Sequence, residues 1–120
     1  MIFSAYFKNL LKSFKFGFWG IKIIIKEEYA FRVMLSAAAL VIVGMFYFNL
    51  PITQKAVLFI MIFLVLILEL INSVIEEVLD LIHPEFNGKV KTIKDMLAGM
   101  VLLASLGAAI IGLLIFLPYF

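Results

Sequence analysis

Charged residues vanish from the chain in three places, and the lengths of those gaps set the architecture. Met96 to Phe120 carries no charge over 25 positions, enough to cross a hydrocarbon core of roughly 30 Å. Val33 to Ile52 is uncharged for 20 residues, with Asn49 and Pro51 at its far end and Arg32, able to snorkel, just before it. Between them, Ala56 to Leu68 is uncharged for only 13 residues, but helical periodicity continues through Glu69 to Ile82 and stops before Pro84. The pattern predicts three spans, the second with a polar end. With an amphipathic surface helix in front, the segments are about 5–28, then 30–50, 54–82 and 92–118, in one all-α membrane domain covering 1–120.

Ahead of the first span, Lys8, Lys12, Lys15, Lys22 and Lys26 are spaced 4, 3, 7 and 4. At about 100° per residue they share one helical stripe roughly 80° wide. Leu10, Leu11, Phe14, Phe18, Ile21 and Ile25 fill the other sides, so the helix is expected to lie along the headgroups with its lysines toward phosphate and water. Two readings stand: a basic membrane anchor, or a direct grip on a phosphorylated ligand. The segment lacks the basic region, uninterrupted apolar stretch and small-residue cleavage site of a signal peptide, and is expected to be retained.

Composition agrees with this frame. The chain is 66% hydrophobic with a mean hydropathy of +1.21, more apolar surface than a soluble domain of 120 residues could hide. A net charge of +2 gives no support to nucleic-acid binding, and the absence of cysteine removes disulfides and thiolate metal sites. Nine of the ten Lys and Arg fall in two blocks, residues 8–32 and 89–94, leaving only Lys55 in the first loop. The positive-inside rule then puts the N-terminus and the second loop in the cytoplasm. Ala104, Ala108 and Gly112 in the third span, and Ser36 to Ala39 with Gly44 in the first, offer small-residue faces for helix packing.

The candidate chemistry sits at the polar end of the second span. Glu69, Asn72, Ser73, Glu76 and Asp80 project onto one arc about 100° wide, and Glu77 falls to one side. From Glu69 to Asp80 is about 16 Å along the axis, so Glu69 is deep and the other two carboxylates are shallow. An ionisable group at membrane depth is costly unless paired, hydrated or metal-bound, which makes functional use the default for Glu69. The structural alternatives are a neutral, hydrogen-bonded Glu69, and a Glu76 at a solvated helix end paired with a lysine such as Lys94. Lys94-Asp95 and Glu27-Glu28 reach the same boundary from other segments. A carboxylate-rich set without a His or Cys cluster suits a hard ion, and with an exchangeable polyphosphate this means magnesium. His83 stands alone, as a helix-end residue. The GxxxxGK[ST] and GxGxxG phosphate cradles are both absent, so any nucleotide is held differently.

ELINSVIEEVLDL (69–81), KVKTIKDMLAGMVLLAS (89–105) and KEEYAFR (26–32) together resemble the prokaryotic diacylglycerol kinase family of three-span, trimeric membrane enzymes, which includes undecaprenol kinases. The resemblance covers essentially the whole chain. It implies an ATP-dependent lipid kinase in the cytoplasmic membrane of a prokaryote, a homotrimer using Mg2+ and ATP. It also implies that Glu69 is the general base for the lipid hydroxyl, with Ala98 beside the lipid, and that Glu28 and Glu76 bind the metal on ATP. Lys12, Asn72, Glu85, Asn87, Lys94 and Asp95 then complete the nucleotide site. Asn9, Phe16 and Asn87 depart from the family pattern. Lys8 or Lys12 is expected to replace the cation missing at Asn9, and Asn87 can still donate a hydrogen bond. Diacylglycerol is the preferred substrate and undecaprenol the alternative.

Two competing classes remain on the residues alone. A proton or cation transport protein would use Glu69 for coupling, but it calls for polar groups near the midplane on more than one span, and spans one and three are apolar there. A structural subunit leaves the convergence of Glu28, Glu76, Lys94 and Asp95 without a reason.

Overall fold

The computed structural model describes residues 2–120, and the described residues are almost entirely helical. Helix α1 spans Ile2–Glu27, α2 Tyr29–Tyr47, α3 Ile52–Ile82 and α4 Gly88–Phe116, followed by a 3₁₀ turn at Leu117–Tyr119. Three helices are long and apolar enough to cross a membrane, as the charge gaps predicted. The N-terminal helix precedes them and contains no buried residue. Lys8, Lys12, Lys15, Lys22 and Lys26 are all exposed along it.

Helix α1 ends because Glu28 is extended (φ −103°, ψ 104°), and α2 begins at the next residue. At its other end α2 stops at Tyr47, inside the uncharged stretch. Asn49 takes a left-handed conformation (φ 51°) there. Its N–H donates to Phe46 O at 3.3 Å, and the Leu50 N–H donates to Met45 O at 3.1 Å. These are the two bonds of a Schellman motif, completed by burial of Leu50 and Met45 in one cluster and by Pro51, which ends helical continuation. Helix α4 starts at Gly88 because the Asn87 side chain caps it, accepting from Lys89 N at 2.9 Å and Val90 N at 3.3 Å.

Helices α3 and α4 form the main antiparallel pair, and α2 packs on α3. At one end Lys94 meets Asp80. At the other, Leu58 and Phe116 belong to one apolar cluster with Met45 and Leu50, in the same register. Counting back along two antiparallel helices from the Asp80–Lys94 contact brings Glu76 near the level of Ala98 and Ser73 near that of Val101. Gly44 admits the Phe116 ring closely, since a Cβ there would lie 3.2 Å from Cε1. The buried core is small, and large side chains such as Leu40, Leu103 and Leu114 are at least 70% exposed. An all-helical chain with so much outward apolar surface is solvated by lipid or by copies of itself.

Candidate functional site

The site is built on the C-terminal half of α3, the polar end expected from the charge distribution. Residues three and four apart along a helix share a face, so Glu69, Asn72, Ser73 and Glu76 form one continuous stripe. The structure buries the deep members of this stripe and leaves the shallow end accessible. Glu69 is 5% exposed and Ser73 is buried; Asn72 and Glu76 are half-buried; Glu77 and Asp80 are exposed. Glu77 thus lies off the stripe, on the outer surface.

The Glu69 carboxyl is within coulombic range of Glu76 and Glu28, and the Asn72 side chain is placed to donate to it. No cation forms an ion pair with Glu69 among the described residues. Asn72 Oδ1 is itself buried without a hydrogen-bond partner among the described residues. Such an orphaned acceptor is costly, and the cost falls away when a ligand or water donates to it. Glu28 joins the stripe from a different element. Being extended at the break, it is freed from the α1 surface and stands half-buried at the N-terminal end of α2.

The cations are arranged at the mouth. Lys94 Nζ lies 2.6 Å from Asp80 Oδ1, a bond that also fastens the start of α4 to the end of α3. Lys94, which the sequence offers as a partner for Glu76, pairs instead with Asp80, one turn nearer the water. Glu76 stays within its coulombic range and forms no ion pair among the described residues. Asp95 is held by Lys91 at 2.7 Å on the exposed side of α4, and Glu85 sits in the α3–α4 turn, 4.0 Å from His83 Nδ1. His83 itself closes α3, its N–H donating to Leu79 O at 2.8 Å. Asn87 commits its oxygen to the cap and keeps its NH₂ group free to donate. Ala98 lies exposed on α4, one turn beyond Lys94.

Lys12 does not join this group within one chain. It stands about 24 Å along α1 from Glu28, on a helix that packs against α2 rather than along the stripe. Two residues organise the site in ways that the sequence periodicity does not show: Asp80, a member of the stripe, holds Lys94, and Asn87, a candidate nucleotide contact, caps α4. An Asn-Gly pair just before a helical run is a cap signal that points to the second.

No three His, Cys, Asp or Glu side chains come together closely enough to hold a metal by themselves among the described residues. The donor set still fits magnesium in its usual form at nucleotide sites, where one or two carboxylates and the substrate phosphates supply the ligands and water the rest. Glu28 and Glu76 are such a pair of hard oxygen donors.

Residues 15–116 match the model of the family described as prokaryotic diacylglycerol kinase. A diacylglycerol kinase of Synechocystis is 35% identical over 92% of this chain, and the chain spans 63% of that relative's length. An undecaprenol kinase of Bacillus subtilis is 36% identical over 92% of this chain and 89% of its own. A diacylglycerol kinase of Helicobacter pylori is 36% identical over 75% of this chain and 70% of its own. With three apolar helices and relatives of this kind, the chain is an integral membrane protein. It belongs to the prokaryotic diacylglycerol kinase family, a family of lipid kinases.

Proposed function

We infer that this chain transfers the γ-phosphoryl group of ATP to the hydroxyl of a membrane lipid, with diacylglycerol as acceptor and phosphatidic acid as product. The observation that carries this reading is the depth order of its carboxylates: a buried Glu69 without a cation, and shallower Glu28 and Glu76 within its coulombic range. A lipid hydroxyl sits at the headgroup boundary, where Glu69 accepts its proton as the new O–P bond forms and the bond to the ADP oxygen breaks. Asn72 orients the Glu69 carboxyl through its NH₂ group. Ala98 leaves room beside Glu76 for the lipid.

Glu28 and Glu76 would hold the metal that accompanies ATP. Magnesium, when bound, offsets charge on the phosphate oxygens and so eases transfer. Lys94 is stored on Asp80 at the mouth and turns to the more strongly charged phosphates when they arrive. Asp95, Glu85 and the Asn87 amide line the same edge for the nucleotide. Lys12 reaches it from α1 of a neighbouring copy in a homotrimer. The cytoplasmic membrane of a prokaryote, with the N-terminus inside, gives ATP access to this end.

Undecaprenol is the second acceptor to consider, because the match to the Bacillus subtilis undecaprenol kinase runs along 89% of that protein. Purified protein in mixed micelles with radiolabelled ATP and magnesium, offered each lipid alcohol in turn, tests both. Label is expected in phosphatidic acid and to a lesser extent in undecaprenyl phosphate; label in no lipid extract would refute the kinase reading.

A further inference from the structure

Arg32 is a cation that the site described above does not use, held by side-chain hydrogen bonds to the backbone. It lies one turn into α2 and reaches back across the break, its Nη1 donating to Ile25 O at 3.0 Å and to Lys26 O at 2.8 Å. Both carbonyls are in the last turn of α1, where intrahelical partners run out. The guanidinium also meets the negative end of the α1 dipole, and its Cζ lies 5.7 Å from the centre of the Tyr29 ring. Between these attachments stands Glu28. Its N–H makes the last bond of α1, to Ile24 O at 2.8 Å, and its carbonyl accepts the first bond of α2, from Arg32 N at 3.2 Å. The direction of the Glu28 side chain therefore follows the angle between the two helices. No buried residue of α1 adds to the hold on that angle.

We propose that Arg32 is a positioning residue that locks the α1–α2 break and so holds Glu28 toward the acidic stripe of α3. This rests on the reading of Glu28 as a metal-binding carboxylate. It gives the arginine at the head of the first span a task more specific than anchoring in headgroups. A planar fork suits two adjacent carbonyls, whereas a lysine ammonium has no such shape.

The test is a binding titration without turnover. The manganese complex of a non-hydrolysable ATP analogue is titrated into the full chain in mixed micelles, and bound Mn2+ is read by electron paramagnetic resonance. Residues that orient a metal ligand typically cost about 10- to 100-fold in affinity when removed, and Arg32→Ala is expected to fall in that range, with Arg32→Lys in between. Combined with Glu28→Gln, Arg32→Ala is expected to add nothing, because both changes remove the same ligand. Losses that multiply in the double variant would overturn the proposal by showing that Arg32 acts independently. An unchanged Arg32→Ala beside a weakened Glu28→Gln overturns it alone; an unchanged Glu28→Gln overturns the metal reading and the proposal with it. Should Arg32→Ala lose helicity by circular dichroism, Arg32→Lys carries the same double-variant comparison.

Discussion

At Glu69, two substitutions of similar volume are expected to separate stability from chemistry. The side chain is 5% exposed and has no cationic partner among the described residues, so its polarity burdens the fold. A buried polar group without adequate partners costs about 1–3 kcal/mol; Glu69→Leu removes that cost while filling the same space, offset in part by the Asn72 amide that it leaves without its acceptor. Leu should therefore raise the resistance of the protein to unfolding in detergent by up to that amount, and Gln should leave it little changed. Both should destroy transfer. Loss of a general base removes about 10²- to 10⁴-fold in rate, equivalent to about 3–5 kcal/mol of transition-state stabilisation. Turnover is measured with radiolabelled ATP in mixed micelles, and stability by circular dichroism during titration with sodium dodecyl sulfate. A destabilised Glu69→Leu would mean that the carboxyl holds helices together, which is the structural alternative. Near-normal turnover in Glu69→Gln would remove Glu69 from the chemistry altogether.

Glu76→Gln should move the magnesium dependence of turnover to concentrations about tenfold higher or more, checked by initial rates across a magnesium series; an unmoved curve counts against Glu76 as a ligand. At Asn87, Asp preserves the oxygen that caps α4 but not the NH₂ donor, whereas Ala loses both. Asn87→Ala should cost about 1 kcal/mol in detergent unfolding, and Asn87→Asp should cost little there yet raise the KM for ATP if the amide touches nucleotide. At Asn49, Gly should be neutral or slightly stabilising and Val should destabilise by about 1–2 kcal/mol, because a β-branched side chain resists a φ of 51°. Equal stability of those two variants would show that the Schellman turn does not constrain the α2–α3 connection.

What the sequence made legible divides by the range of the interaction that decides it. Span existence and the face of the acidic stripe follow from periodicity, which is local, and both appear in the fold: Glu69 and Ser73 inward, Glu77 outward. The ends of the helices depend on single capping residues instead, so α2 closes at Tyr47 through Asn49, and α4 opens at Gly88 through Asn87. Those signals were present as Asn-Leu-Pro and Asn-Gly, but apolar windows pass over them. Partner choice lies further out of reach. Several cations compete for carboxylates at one depth, and the antiparallel register of α3 and α4 resolves the competition by setting Lys94 opposite Asp80 rather than Glu76. Glu76 thereby forms no ion pair among the described residues and stands beside the buried carboxylate, the setting that its proposed role toward a doubly charged ion requires.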